Sequence, residues 1–375
     1  MMKKNILRIG IMFFLILFIT GCEKRANTSE EQDVFIGKIL TITKDEINVI
    51  ETSGGGYEQR IQEAEVELLD GPYEGEVITV INSMDQMYAY DLELFEGSEI
   101  YTFVEYDEDG NILEGFVYSY RRDKYIYILV AIFLVLMVAV GGYQGLRTLL
   151  TLGLTLTGIY YMLIGIAAGG NAILLSVVIC ALIAVVTMFL VTGFNRKSIS
   201  AIIGTIGGVL VSGTIAMIVS DYAVLTGLGT TEAQMLVYTQ SDVNLNFTSI
   251  LFASILLGTL GAVMDVCMSI ASAINEITEA NPFMSTKDLF KSGMNIGRDV
   301  MGTMANTLIL AYAGPSIFLI LLFFMNNIPY FDIINMDEIA TEIVRALSGT
   351  IGLVLSIPLT AYVAAILEKK NESNY

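Results

Sequence analysis

The pattern of apolar and polar positions changes character near residue 124. Before it, short β-rich runs (VFIGKILTI, INVIET, AEVELL, EVITVI, EIYTFVEY and ILEGFVYSY, within residues 34 to 121) are separated by turn residues. Those turns include Gly54-Gly55-Gly56, Asp70-Gly71-Pro72 and Asp109-Gly110-Asn111. Six short strands predict a small all-β domain, an OB-like barrel or a sandwich. After it, apolar runs approach or exceed the roughly 20 residues that cross a bilayer. They predict seven spans, at about 125–142, 148–168, 172–193, 199–219, 248–273, 300–325 and 348–367. The expected fold is an α-helical membrane bundle of seven spans preceded by a small extracytoplasmic β-domain.

Between the spans, local signals predict shorter pieces. Asn281-Pro282 stops the fifth span, and Ser285 with Asp288 three residues on predicts a short helix ending near Gly293. Asn335 and Glu338 repeat that spacing before IATEIVRAL, where Ile339, Ile343 and Leu347 form one apolar face and predict an interfacial helix. Residues 1–22 read as an export signal with Lys3, Lys4 and Arg8 at its basic end. It closes on Ile19-Thr20-Gly21-Cys22, which resembles a bacterial lipobox and makes Cys22 a lipidation candidate; an uncleaved signal anchor is the other reading.

Polar residues inside the spans are not scattered. Span five reads LFASILLGTLGAVMDVCMSIASAI, and at 100° per residue Ser254, Gly258, Gly261, Ser269, Ser272, Glu276 and Glu279 all fall within about 40° of Asp265. A carboxylate in a membrane helix is costly and marks a candidate ion or proton path; a packing seam is the structural alternative. In GMNIGRDVMGTMANTLILAYAGP, Gly302, Thr303 and Asn306 lie within about 60° of Asp299. Asp299 is also placed to cap a helix, and Arg298 is placed to neutralise either carboxylate. Gly314-Pro315 and Pro358 interrupt spans six and seven. Gly204, Gly208 and Ser212, at i, i+4 and i+8, read as close helix packing, and Gly258 and Gly261 suit the same purpose.

Composition narrows the chemistry. There is no His, which excludes Ser-His-Asp and Cys-His catalysis and His-ligated zinc. Cys22, Cys180 and Cys267 are far apart, so no disulfide framework or CxxC site is available. No catalytic residue, metal site or cofactor is expected. The net charge of −19 is concentrated: residues 23–124 hold 25 of the 39 acidic and 8 of the 20 basic residues, a net −17. Such a segment repels nucleic acid, and it lacks the basic, aromatic face of an oligonucleotide-binding barrel.

Basic residues orient the chain. With the β-domain outside, inner loops and tail hold Arg147, Arg196, Lys197, Lys287, Lys291, Arg298, Lys369 and Lys370, whereas Arg345 stands outside with Arg121, Arg122 and Lys124. The expected organisation is a signal peptide or anchor (1–22), an extracytoplasmic acidic β-domain (23–124), a seven-span domain (125–367) and a cytoplasmic tail (368–375). The chain is thus expected in the bacterial cytoplasmic membrane as a multi-pass protein.

The runs GAVMDVCMSIASAINE, SGMNIGRDVMGTMANTLILAYAG and SGTIGLVLSIPLTA, with LLDGPYEGEVITVINS in the β-domain, resemble the YibE/F family of bacterial multi-span membrane proteins. The likeness covers roughly residues 34 to 367 and implies a shared fold without implying an activity. The residues themselves favour a transporter or permease moving an ion or small solute along Asp265, Ser269, Ser272, Glu276, Asp299, Thr303 and Asn306. The alternative is a non-catalytic envelope protein whose acidic β-domain binds a protein partner. An intramembrane aspartyl protease built on Asp265 and Asp299 is a third class, but the flanking Gly-x-Gly-Asp and Tyr-Asp patterns are missing.

Overall fold

The computed structural model describes residues 34–52, 55–85, 92–107, 112–239 and 245–369. The export-signal reading, Cys22, the Asp109-Gly110-Asn111 turn and Lys370 lie outside them. The chain divides into two compact units, with the boundary between Ala139 and Val140.

The first unit contains a closed five-stranded barrel in the order β1-β2-β3-β5-β4. Its strands are β1 (Val34–Thr52), β2 (Gly55–Leu68), β3 (Val77–Asp85), β4 (Glu99–Tyr106) and β5 (Ile112–Tyr120). All pairings are antiparallel except β3 with β5. Five strands are found instead of the expected six because VFIGKILTI and INVIET are one strand. The polar run Thr43-Lys44-Asp45-Glu46 between them, turn-like in sequence, is paired to β2. Its charges are satisfied across the ladder: Arg60 donates Nε and Nη2 to the two Asp45 carboxylate oxygens at 2.6 Å each, and Lys44 Nζ lies 3.4 Å from Glu63. Register shifts at Ile39/Thr41 and Ile42/Lys44 bend β1, so that Val34–Lys38 pair with β4 while Gly37–Thr52 pair with β2.

Alternation supplies the barrel core. Ile100, Thr102 and Val104 point inward from β4 and meet Phe35, Ile39, Ala64, Val66, Leu68, Ile78, Val80 and Leu94. Buried Gln62 is satisfied, accepting from the Leu94 amide at 2.8 Å and donating to Asp45 at 3.2 Å. Gly71 takes φ +82°, and any Cβ there would strike the Phe35 ring. Glu99 receives Arg121 at 2.8 Å and Lys124 at 2.6 Å, tying β4 to the start of the first helix.

The helices are α1 (Asp123–Ala167), α2 (Ala172–Thr192), α3 (Arg196–Tyr222), α4 (Thr231–Thr239), α5 (Phe247–Ala280), α6 (Thr286–Ala313), α7 (Ile317–Met325), α8 (Tyr330–Asn335) and α9 (Asp337–Lys369). By length and composition α1, α2, α3, α5 and α9 qualify as membrane spans, and α6 with α7 makes a sixth despite a 63° bend. The expected seven are not reached this way. Residues 125–142 and 148–168 merge into α1, which is broken at Gly142 (φ 52°, ψ −130°), a conformation that glycine alone adopts readily.

Two further expectations are corrected. Ser285 does cap α6, its Oγ accepting from the Asp288 amide at 3.1 Å, but the helix runs through Gly293 to Ala313. Gly293 is not a terminus; it is where α6 presses on Ile274 and Ala361. The expected interfacial helix and last span are one helix, α9, held down across the join by buried Thr341, Val344 and Ser348.

The bundle centre is made by α3, α5 and α9. Gly204, Gly208 and Ser212 are buried. A Cβ on Gly208 would lie 2.6 Å from Ser356 Cβ and 2.9 Å from Val263 Cγ1; one on Gly204 would strike Thr360 and press on Cys267 Sγ at 3.1 Å. The complementary surface on α9 is Gly349, Gly352, Ser356 and Thr360. The buried hydroxyls of Thr259, Ser348, Ser356 and Thr360 donate to carbonyls three or four residues back in their own helices, so they fill the core without unpaired donors.

Candidate functional site

The polar stripe of α5 does not face this core. Thr259, Val263, Cys267, Ile270 and Ile274 are buried on one side, whereas Gly261, Asp265, Ser269 and Glu276 are exposed on the other and Ser272 is half-buried. Asp265 and Asp299 have no side-chain hydrogen bond or ion pair among the described residues. Ser269 Oγ turns back to the Asp265 carbonyl at 2.8 Å. Gly258 and Gly261 separate in role: Tyr312 Oη sits where a Gly258 Cβ would be, and nothing lies within 4 Å of a Gly261 Cβ.

The second polar face behaves alike. α6 buries Leu289, Gly293, Gly297 and Leu308 and leaves Lys291, Asn295, Arg298, Asp299, Gly302, Thr303, Asn306 and Thr307 exposed. Arg298 reaches Asn295 Oδ1 at 3.5 Å and pairs with neither carboxylate. Asp299 lies in the interior of α6, where it caps nothing; the cap is Ser285. α5 and α6 pack against each other, so two open polar faces belong to neighbouring helices.

At the end where α5 and α9 begin, the stripe runs into a charged cluster. Arg345 Nη1 pairs with Glu342 at 2.5 Å, its Nη2 donates to Ser254 Oγ at 3.3 Å, and its Cζ stands 6.0 Å from the Tyr312 ring centroid. Glu342 and Tyr312 also border a largely apolar cavity of about 600 Å³ walled by Ser316, Phe323, Asn327 and Ile343. At the opposite end a smaller, polar pocket of about 370 Å³ is lined by Asn195, Arg196, Asn275, Glu279 and Glu368, among others. The stripe therefore links both ends of α5. From Ser254 to Glu279 it rises about 37 Å at 1.5 Å per residue, more than the roughly 30 Å hydrocarbon thickness.

Sequence reasoning missed Arg345, Glu342, Tyr312 and Glu368 as members of this arrangement. The i, i+3 spacing of Glu342 and Arg345 was visible. Their convergence with Ser254, 91 residues away, was not.

The fold and the open polar faces define a multi-span membrane protein with an N-terminal β-barrel. Residues 129–370 match the YibE/F-like protein family, and residues 32–120 match the YibE/F family N-terminal domain. The chain belongs to the YibE/F family. Neither the curated proteins nor the solved structures contain a match.

Proposed function

We propose that the chain is a permease of the bacterial cytoplasmic membrane that moves an ion or small solute along the polar faces of α5 and α6. The observation that carries this reading is the largely open face of α5 from Gly261 to Glu279, which carries unpaired Asp265. A face of that chemistry is incompatible with lipid along its length, so it meets water or a passing solute. Asp265 and Asp299 are the coordinating or titrating groups; Ser269, Ser272, Glu276, Thr303 and Asn306 line the way.

In this reading the barrel is extracytoplasmic and the C-terminus cytoplasmic. Treating the two sides of Gly142 as separate spans gives seven crossings, which is consistent with that arrangement. Arg121 and Lys124, the outside charges that weaken the positive-inside bias, are both engaged by Glu99, which supports the assignment.

The test uses the full chain in liposomes with a trapped pH-sensitive dye. The wild type should dissipate an imposed pH gradient faster than protein-free liposomes, and Asp265→Asn and Asp299→Asn should lower that rate about tenfold or more. Wild-type rates from both variants, in protein that elutes as folded, would contradict the proposal.

A further inference from the structure

The polar face of α5 is not equally open at its two ends. Gly261, Asp265, Ser269, Glu276 and Glu279 are exposed, and nothing lies within 4 Å of a Gly261 Cβ. At Ser254, about two turns nearer the start of the helix, side chains of α6 and α9 lie across the same face. Arg345 of α9 donates Nη2 to Ser254 Oγ at 3.3 Å and Nη1 to Glu342 at 2.5 Å, and its Cζ stands 6.0 Å from the ring centroid of Tyr312 on α6. Tyr312 Oη takes the place that a Cβ on Gly258 would need. Ser254, Tyr312, Glu342 and Arg345 are all half-buried. Beyond Ser254 the polar pattern stops, and half-buried Ile250 and Phe247 carry that side of the helix toward its start.

Three helices thus meet across one end of the face through the tips of side chains. A guanidinium beside an aromatic ring, a hydroxyl acceptor and one carboxylate are contacts of modest strength, made and lost by side-chain rotation and small helix shifts. A break in the backbone adjoins them. Tyr312 lies two residues before Gly314, which ends α6, and α7 leaves at 63°. Pro315 contributes no amide hydrogen to a helical ladder there, so the break is suited to absorb a hinge motion.

We propose that Tyr312, Arg345 and Glu342 form a gate at the Ser254 end of the polar face, that the α6–α7 break is its hinge, and that the structure is the state closed at Ser254 and open toward Glu279. The proposal rests on the permease reading and adds the order of access. The solute reaches the face from the Glu279 end, cytoplasmic in that reading, and passes the other end only after Arg345 releases Ser254 and Tyr312 leaves Gly258. Contacts made in the closed state alone bias the equilibrium by their differential free energy, so removing them favours the open gate.

The experiment reads access from each side of the membrane. The full chain carrying Cys22→Ala and Gly261→Cys is treated with a charged, impermeant thiosulfonate in spheroplasts and, separately, in inverted vesicles. This parent should be modified from the cytoplasmic side only. Adding Tyr312→Ala should make the same cysteine react from the outer side about tenfold faster or more. Arg345→Ala should act in the same direction, and it decides alone if Tyr312→Ala does not elute as folded protein. A parent modified from both sides alike or from the outer side alone, or variants no faster than the parent from the outer side, overturns the gate while the face still meets water and the permease reading stands. A cysteine modified from neither side in parent and variants overturns both.

Discussion

Along α5, one face places Thr259 and Cys267 against the glycines of α3 and α9, and the other leaves Asp265 and Ser269 uncovered. Small residues occur on both sides: the glycines of α3 and α9 stand against the first face, and Gly261 and Ser269 lie on the second. Their physics differs. On the buried face Thr259 and, across from it, Thr360 donate to carbonyls of their own helices, and Gly204, Gly208 and Gly349 admit neighbours at close range. On the open face the carboxylate is unpaired, and Gly261 admits no neighbour within the described chain. Small residues in a membrane helix thus mark either a packing surface or a solvated one, and the occupancy of the missing Cβ position tells them apart.

The largest expected effect that tests this contrast is on stability. Gly208→Val must displace Ser356, Val263 and the Gly352 carbonyl together and should destabilise the bundle by roughly 3 kcal/mol or abolish folding, seen as lost monodisperse protein in detergent gel filtration. Gly261→Val, with empty space around it, should change stability by less than about 0.5 kcal/mol. Equal damage from both would erase the distinction.

Arg345→Ala should fall between these. It leaves half-buried Glu342 without its partner and removes the donor to Ser254, a cost of roughly 1–3 kcal/mol measurable as a lowered thermal midpoint. Glu342→Gln with Arg345→Ala should recover part of that loss, because the double variant buries no unpaired charge.

The smallest effect belongs to the barrel, where charge pairs are solvent-screened. The hydrogen bonds from Arg60 hold the Asp45 carboxyl below its usual range, and those from Lys124 and then Arg121 do the same for Glu99. Because both folded-state values are depressed, the stabilisation is complete at neutral pH and is lost as pH falls below the ordinary carboxylate range of about 4. Hydrogen exchange of β1 and β4 amides in the full chain should therefore quicken beyond the intrinsic trend as pH falls below about 4, and not above it.

Much of this architecture was readable as pattern. Period-two alternation marked the strands, and uninterrupted apolar length marked the helices. The continuity of β1 was hidden because Lys44, Asp45 and Glu46 look like a turn until Arg60 and Glu63 stand opposite them. The continuity of α9 was hidden because a polar stretch before an apolar run resembles an interface helix until Thr341 and Ser348 are seen to be buried. The stripe was legible on α5 alone, but its direction was not, since the side a helix buries is set by partners distant in sequence. Gly349 and Gly352 define that side, and Arg345 with Tyr312 closes one end of the other.

Water at the open face of α5 is the central claim, and cysteine accessibility reads it directly. In membranes holding the full chain with Cys22→Ala, single Ser269→Cys and Thr303→Cys variants would be treated with a charged, membrane-impermeant thiosulfonate, which reacts in water. Val178→Cys, exposed on the apolar surface of α2, controls for a lipid-facing position, and native Cys180 and Cys267 are buried. The account expects modification at Ser269→Cys and Thr303→Cys and none at Val178→Cys, Cys180 or Cys267. If Ser269→Cys and Thr303→Cys stay as unreactive as Val178→Cys, the open face does not meet water and the conduit is wrong.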